Sequence, residues 1–259
     1  MQVLKTIRIT QQMMSLIRLQ GQTIGFVPTM GSLHAGHMSL IEAAREECDV
    51  VVVSIFVNPT QFSKDEDLEN YPRDIEQDKL LLERASVDYL FYPEVSEMYD
   101  GADATAFKLP EDLISWGCAP FRPGHFEGVA QVCAKLFNII TPNKVYFGQK
   151  DYQQTLVIDR LIKDLNFDID LRVMPTVRER GGLAMSSRNK YLGKEDRKSA
   201  EVLYQALLAA VKTGSLEEGR HIVSLEPKVQ LEYFEIHDGV ALLAARIGDV
   251  RLIDNVVIE

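Results

Sequence analysis

A regular alternation of strand-like and helix-like patterns runs through the first two thirds of the chain and limits its possible folds. Residues 49–57 contain four consecutive valines, and such an apolar run is typical of a strand buried on both faces. Strands are also predicted at residues 23–28, 87–91, 144–147 and 167–174, and helices at residues 36–48, 74–85, 128–140 and 151–165. The alternation predicts an α/β fold with a parallel sheet flanked by helices, whose ligand site lies at the carboxyl ends of the strands.

The pattern changes after Pro175. A basic, glycine-containing loop is followed by a predicted helix at residues 194–211 and short predicted strands at residues 231–236, 241–245 and 252–257. This order predicts a smaller α+β domain at the C-terminal end. We therefore expect two domains, residues 1–176 and residues 177–259. Residues 94–123 are rich in turn signals and give no clear element.

The charge balance argues against several classes of partner. Lys and Arg number 28 against 38 Asp and Glu, a formal net charge of −10, which disfavours nucleic acid. No apolar stretch reaches the roughly 20 residues that cross a bilayer, and the first residues lack a signal-peptide pattern. We expect a cytoplasmic protein with no membrane partner. Cys48, Cys118 and Cys133 form no C-x-x-C pair and are interpreted as packing thiols.

The first candidate motif, residues 28–37, directly follows the first strand of this alternating region. Gly31 and Gly36 allow tight turns, while His34 and His37 are three residues apart at a helix start and can point the same way. Helix N-terminal donors and two imidazoles suit a polyphosphate. The alternative interpretation is a pair of capping or surface histidines. Zinc is disfavoured because no third ligand of suitable spacing follows.

The second candidate motif, residues 182–189, lies in the basic loop after the last predicted parallel strand. Two serine hydroxyls and the Arg188 guanidinium are good donors to phosphate oxygens. Arg178, Arg180 and Lys190 are expected to raise the local positive potential. In an acidic chain this cluster indicates an anionic ligand. The alternative interpretation is a solvated basic loop.

The sequences His-Ala-Gly-His at residues 34–37 and Met-Ser-Ser-Arg at residues 185–188 resemble the H-I-G-H and K-M-S-K-S pair of the class I synthetase and nucleotidylyltransferase superfamily. That resemblance implies a Rossmann-like sheet that binds ATP and cleaves it between the α- and β-phosphates. A closer resemblance is to the pantothenate synthetase family, with five blocks in the same order. These blocks are residues 28–37, 56–62, 122–129, 146–154 and 182–189.

The resemblance implies roles for individual residues. The ATP-binding positions would be Met30, Gly31, Ser32, Leu33, His34, Ala35, Gly36, His37, Gly148, Gln149, Lys150, Asp151, Val177, Met185, Ser186, Ser187 and Arg188. His34, His37, Lys150 and Arg188 would act in catalysis, with His37 as a proton donor. Gln61 and Gln154 would bind pantoate, and Gln61 would also lie near β-alanine. Asp151 would hold magnesium or a ribose hydroxyl.

The family activity implied is ATP-dependent condensation of pantoate with β-alanine through pantoyl adenylate, with magnesium and a homodimeric assembly. One alternative is a nucleotidylyltransferase acting on a phosphorylated acceptor, but Gln61 and Gln154 stand in place of basic acceptor-binding residues. Another is a nucleotide-sensing protein without catalysis. The chain departs from the family pattern at Gln149, at Gly181 and in a short segment at residues 212–227. The roles of Arg122 and His125 stay open.

Overall fold

The computed structural model describes residues 1–63, 68–101 and 105–258. Its helices and strands follow one another in chain order. They are β1 (Gln2–Leu4), α1 (Ile7–Leu19), β2 (Ile24–Thr29), α2 (Ala35–Glu47), β3 (Val50–Ile55), α3 (Ile75–Arg84), β4 (Tyr89–Phe91), α4 (Val95–Met98), α5 (Glu111–Ile114), α6 (His125–Ile140), β5 (Lys144–Gly148), α7 (Tyr152–Asp164), β6 (Asp170–Met174), α8 (Lys194–Ala200), α9 (Val202–Thr213), α10 (Leu216–Ser224), β7 (Val229–His237), β8 (Val240–Ile247) and β9 (Val250–Val257).

The larger sheet has the strand order β1-β4-β3-β2-β5-β6, and its neighbouring strands are parallel. Every residue of β3 is buried, as the valine run predicts. From β2 the chain proceeds to one side through β3 and β4, whereas β5 and β6 lie on the other side. The strand order thus reverses between β2 and β5. A ligand crevice forms outside the carboxyl ends of the strands at such a reversal.

Helices cover both faces of this sheet, which confirms the predicted α/β class. On one face α1, α6 and α7 pack with Phe26 and Val52 in one apolar cluster. On the other face α2 and α3 pack with Val27 and Val53 in a second cluster. Consecutive residues of β2 and β3 therefore enter opposite layers, as the two-residue period of a strand requires.

The smaller sheet, β7-β8-β9, is antiparallel and confirms the α+β character of the C-terminal region. One of its faces packs against α9, with Leu207 and Leu243 in a shared cluster. Leu242 and Ala244 point the other way and join the core of the larger sheet. The C-terminal sheet is therefore packed directly against the first region of the chain.

The two N-terminal elements were not predicted. Helix α1 could have been predicted from the sequence, because Thr6 caps it and its buried residues repeat at helical spacing. These residues are Thr10, Met14 and Ile17. Strand β1 is different, because three residues carry too little pattern to identify a strand. Its existence depends on pairing with β4, which lies far along the chain.

The helix predicted at residues 194–211 is present, with an interruption at one residue. The chain forms two helices there, α8 and α9, with a turn at Glu201 between them, and α9 continues to Thr213. The next helix, α10, was missed although Ser215 caps it. The short segment at residues 212–227 is thus largely helical, and Gly214 turns the chain there with a positive φ of 67°.

The three cysteines are free and buried, which confirms their interpretation as packing thiols. Burial raises the pKa of the Cys133 thiol to about 12, so this sulfur stays protonated.

Candidate active site

One cleft opens at the carboxyl ends of β2, β3 and β5, beside the reversal of strand order. The predicted site residues that line it are Met30, His34, Gly36, His37, Gln61, Gly148, Lys150, Asp151, Gln154, Val177, Met185, Ser186, Ser187 and Arg188. Gly31, Ser32, Leu33, Ala35 and Gln149 are not among its lining residues. Asn58 and Tyr71, which were not predicted, also line it, and so do Arg122 and His125, whose roles stayed open. Segments that are distant in sequence therefore meet in one place.

The two histidines form the N-terminal cap of α2. Nδ1 of His34 accepts a hydrogen bond from the Gly36 N–H at 3.1 Å, and Nδ1 of His37 accepts one from the His34 N–H at 3.3 Å. The two rings lie 4.1 Å apart, centre to centre. Because each Nδ1 is an acceptor, the proton of each neutral ring is on Nε2. The histidines thus cap a helix and line the cleft at the same time.

Both histidines are neutral at neutral pH. Burial, followed by the nearby Lys150 ammonium, lowers the pKa of His34 to about 4. Burial, then His34 and Lys150, lowers the pKa of His37 well below its ordinary value. Two neutral rings can donate N–H groups to phosphate oxygens, while Lys150 supplies positive charge beside them.

The depressed pKa of His34 predicts that stability falls on mild acidification. The unfolded chain binds this proton near pH 6.5, whereas the folded protein binds it only near pH 4. Stability is therefore complete above about pH 6.5 and is lost as the pH falls toward about 4. We expect His34 to lower the free energy of unfolding by about 2 kcal/mol between about pH 7 and about pH 5, measured by urea denaturation. His37, whose pKa is also lowered, adds to this fall.

His34→Asn provides the control for this pH effect. Asparagine is also a strong N-cap residue, so the start of α2 is preserved while the titrating ring is removed. The variant should lose less stability than the unsubstituted chain over the same pH interval. An identical pH dependence in both proteins would contradict the assignment to His34.

Asp78 fixes the loop that precedes His34. Its buried carboxylate accepts hydrogen bonds from the backbone N–H groups of Ser32 and Leu33, both at 2.8 Å. Gly31 and Ser32 have positive φ values of 82° and 52°, and a β-carbon at Gly31 would come within 3.0 Å of the carboxylate. These N–H groups are bound by the protein's own anion. Residues 31–33 therefore shape the loop from behind the cleft.

The Lys150 segment is a turn of 3-10 helix, Gln149–Asp151, directly after β5. The Lys150 ammonium lies 3.5 Å from the Asp151 carboxylate, and the Lys150 side chain is only 20% exposed. Lys150 and Asp151 thus form an ion pair, and both residues line the cleft. The carbonyls of Gln149 and Lys150 accept hydrogen bonds from the side-chain amide of Asn255.

The loop that carries residues 185–188 contacts the segment around Tyr71. The Ser187 hydroxyl lies 3.3 Å from the Tyr71 hydroxyl, and the Arg188 guanidinium lies 6.0 Å from the centre of the Tyr71 ring. The Ser186 hydroxyl accepts a hydrogen bond from the Arg188 N–H at 3.3 Å. These contacts hold three potential phosphate donors at one edge of the cleft.

The predicted contribution of Arg178 to the positive potential is wrong. The Arg178 guanidinium forms a bidentate ion pair with the buried Asp254 carboxylate, with N–O distances of 2.5 and 2.9 Å. The carboxylate neutralises the charge of Arg178. Arg180 is exposed and does not line the cleft. The Lys190 ammonium donates to the Ser32 hydroxyl at 2.8 Å and so lies against the histidine loop.

Gln61 is held from three directions, and in one of them its side-chain nitrogen donates to Met30 Sδ at 3.3 Å. Its side-chain oxygen accepts from the Asn58 amide at 3.1 Å, and its backbone carbonyl accepts from Nδ1 of His125 at 2.8 Å. Nε2 of His125 lies 2.8 Å from the Arg122 guanidinium, which can only donate, so the His125 proton is on Nδ1. His125, Arg122 and Asn58 thus orient Gln61.

Neighbouring glutamines at the start of α7 have different surroundings. The buried Gln153 amide donates to the carbonyls of Leu113 and Trp116, and its oxygen accepts from the Cys118 N–H. Gln154 is half-buried and lines the cleft. Gln153 therefore stabilises the fold, and Gln154 is available to a ligand.

Gly181, where the chain departs from the pattern that it resembles, packs against a carboxylate from elsewhere in the chain. A β-carbon at Gly181 would collide with the Glu201 carboxyl group. The side chain of Glu201 therefore fills the space beside this glycine.

The fold and the cleft define a class of protein. A parallel sheet forms a ligand crevice where its strand order reverses, and here two capping histidines and a Ser-Ser-Arg loop line that crevice. This arrangement fits the nucleotide-dependent synthetases and nucleotidylyltransferases that the two sequence motifs resemble. In the described part of the chain, no helix has the length and apolar character needed to span a bilayer.

The comparisons with known proteins identify the family. The model of the pantoate-beta-alanine ligase family matches residues 2–257. A pantothenate synthetase from Thermodesulfovibrio yellowstonii is 47% identical, over 100% of both chains. One from Moorella thermoacetica is also 47% identical, over 100% of this chain and 99% of the other. The chain therefore belongs to the pantoate–β-alanine ligase family and is an enzyme of pantothenate synthesis.

Solved structures agree with this assignment. The pantothenate synthetase of Thermus thermophilus is 42% identical, with a TM-score of 0.92 and coverage of 100% of this chain and 99% of that chain. The ligase from Francisella tularensis, solved with a β,γ-ATP compound and β-alanine, is 38% identical. It has a TM-score of 0.92 and covers 99% of this chain and 97% of that chain.

Proposed function

We propose that this enzyme condenses pantoate with β-alanine at the expense of ATP. The pantoate carboxylate attacks the α-phosphorus, releasing pyrophosphate and forming pantoyl adenylate, and the β-alanine amine then displaces AMP. Activation is required because a free carboxylate is a poor acyl electrophile. The observation that carries this proposal is the convergence of both histidines, Lys150, residues 185–188 and two glutamines in one cleft.

In the first step the histidines and Lys150 stabilise charge that develops on the phosphates. Neutral His34 and His37 donate hydrogen bonds from Nε2, and the His37 N–H stabilises charge on the departing pyrophosphate without transferring its proton. Lys150, Ser186, Ser187 and Arg188 bind phosphate oxygens from the other segments of the cleft. Donors held in place before the reaction need no reorganisation when charge develops.

Magnesium fits this site as a partner of the nucleotide. Protein-bound Mg²⁺ uses one or two carboxylates and completes its shell with water and substrate phosphates. Asp151 lines the cleft, its side chain is 46% exposed, and it would hold the ion from the protein side. When bound, magnesium supplies positive charge to the phosphates.

The acid subsite separates this function from that of a nucleotidylyltransferase. Gln61 and Gln154 present amides, which donate to a carboxylate and accept from a hydroxyl without adding charge. A phosphorylated acceptor would require basic residues there. Exchange of labelled pyrophosphate into ATP tests the choice directly. We expect exchange with pantoate, whereas exchange with a phosphorylated acceptor alone would establish the transferase.

Substitutions can separate the acid subsite from the nucleotide subsite. Gln154→Ala is expected to weaken pantoate binding about ten- to a hundredfold, because a hydrogen bond to a charged group contributes roughly 1.5 to 3 kcal/mol. Binding of a non-hydrolysable ATP analogue should be nearly unchanged. Arg188→Ala should show the reverse pattern. Calorimetry of both ligands with each variant measures this.

Gln153→Ala is the matched control for Gln154→Ala. It removes a glutamine one position away whose three hydrogen bonds all go to the backbone of residues 113–118. It should lower the free energy of unfolding more than it changes pantoate affinity. If Gln154→Ala weakens the ATP analogue as strongly as pantoate, the division into two subsites is wrong.

We further propose that the two regions of the chain have different tasks. Residues 1–176 bind ATP and pantoate, and residues 177–259 form a lid domain that covers the nucleotide and keeps water from the adenylate. A cytoplasmic location fits the use of ATP.

We also propose that the enzyme is a homodimer, as expected for this family. Light scattering that shows a monomer at all working concentrations would refute the dimer.

A further inference from the structure

Asn255, near the end of β9, contacts the turn that carries Lys150. Its amide nitrogen donates two hydrogen bonds, to the carbonyls of Gln149 and Lys150, each at 2.9 Å. Asn255 is 3% exposed and is not among the residues that line the main cleft. Strand β9 is therefore hydrogen-bonded to the backbone at Lys150, a residue of the proposed phosphate site.

The neighbouring Asp254 contacts the other half of the site. It pairs with Arg178, whose guanidinium also donates to the carbonyl of Gly182 at 3.0 Å and to that of Asn255 at 3.1 Å. Arg178 forms a β-bridge with Ala184, the residue before the 185–188 loop. Asp254 therefore fixes the base of that loop.

We infer that Asp254 and Asn255 are positioning residues that hold the Lys150 turn and the 185–188 loop in register across the nucleotide site. The inference rests on the proposed function, because it assumes that both segments bind phosphate. The two anchors are adjacent in one strand and are joined by a hydrogen bond from the Asn255 N–H to the Asp254 carboxylate at 2.8 Å. Because Asp254 and Asn255 are adjacent in β9, this strand fixes the position of the Lys150 turn relative to the 185–188 loop.

The side chains of Asn255 and Asp254 each have the chemistry that their contacts require. Two backbone carbonyls need a group with two N–H bonds and no negative charge, which an asparagine amide provides. An aspartate at the same position would bring a carboxylate against two carbonyl oxygens. Asp254 is a buried anion. Burial raises its pKa, while the contacts with Arg178 act in the opposite direction and favour the ionised form.

The test is a double-mutant cycle between Asn255 and Lys150. In the unsubstituted enzyme Asn255→Ala should slow pyrophosphate exchange by about tenfold or more, because a small displacement of a catalytic group is costly. In a Lys150→Ala background the same substitution should slow exchange by less than about twofold, since the group that it positions is gone. Equal slowing in both backgrounds would overturn the inference.

Asn255→Asp supplies a second variant of nearly the same shape. It should weaken the ATP analogue in calorimetry while leaving pantoate affinity unchanged. Unchanged affinity for the analogue in both folded Asn255 variants would also overturn the inference. If Lys150→Ala alone leaves exchange unaffected, the proposed phosphate role of Lys150 has failed, and the affinity measurement still decides whether Asn255 positions the site.

A control distinguishes positioning from a general loss of stability. Val223 is 2% exposed in the C-terminal core and packs there with residues of α9. Val223→Ala should lower the thermal unfolding temperature without changing exchange at a temperature where the protein is folded. If Asn255→Ala and Val223→Ala affect exchange equally, Asn255 has only a structural role.

Discussion

His37→Ala is expected to slow pyrophosphate exchange by about a hundredfold or more, because removing one preorganised donor to a developing charge costs about 3 kcal/mol. The His37 ring is fixed before substrate arrives, since its Nδ1 accepts from the His34 N–H and its Nε2 therefore carries the proton. The measurement is isotope exchange between labelled pyrophosphate and ATP at saturating pantoate.

The same substitution removes part of a helix cap, so folding must be measured beside activity. A lost cap typically costs about 1 kcal/mol, which leaves a protein of ordinary stability folded. His221→Ala is the control, because His221 is exposed on α10 and lies outside the cleft. Exchange near the unsubstituted rate in folded His37→Ala would show that His37 is not a phosphate donor.

Asp78→Ala is expected to lower both stability and activity. It leaves the N–H groups of Ser32 and Leu33 buried without their acceptor, and each such group costs about 1 to 3 kcal/mol. The free energy of unfolding should therefore fall by roughly 2 to 6 kcal/mol, measured by urea denaturation. Exchange should slow by about tenfold or more, because the loop leads directly into the His34 cap.

Two further variants define what Asp78 does. Asp78→Asn keeps one acceptor oxygen and should lose less stability than Asp78→Ala. Glu76→Ala lies on the same helix, but its carboxylate is 79% exposed in a surface ion pair, so the change should be nearly neutral. If Asp78→Ala behaves like Glu76→Ala in both measurements, the carboxylate does not hold the loop.

Much of the fold could be read from the sequence, because burial imposes a pattern on neighbouring residues. A strand covered on both faces must be apolar along its whole length, and the valines of β3 satisfy this requirement within one short segment. The position of the cleft followed from the same reasoning, since motifs that directly follow parallel strands meet at one edge of the sheet. The resemblance in five blocks then identified the family.

The residues that hold the site in place could not be predicted from sequence patterns in this way. Asp78 reads as one more charged residue of an amphipathic helix until its contact with Ser32, 46 positions away, is known. Asn255 is separated from Lys150 by 105 positions, and nothing in its own neighbourhood marks it as a backbone anchor. Arg178 shows the opposite error, because the sequence displays its charge but not the buried Asp254 that neutralises it.

The sequence by itself thus determined the class of the sheet, the region where the cleft forms and the family, because these depend on local periodicity and on contiguous motifs. Only the tertiary structure decided which side chains face the cleft and which hold it from behind. It also determined the protonated nitrogen of His34 and His37, through the backbone bonds of the helix cap. The physical reason is that a buried polar group is defined by its partner, and folding brings that partner from a distant part of the chain.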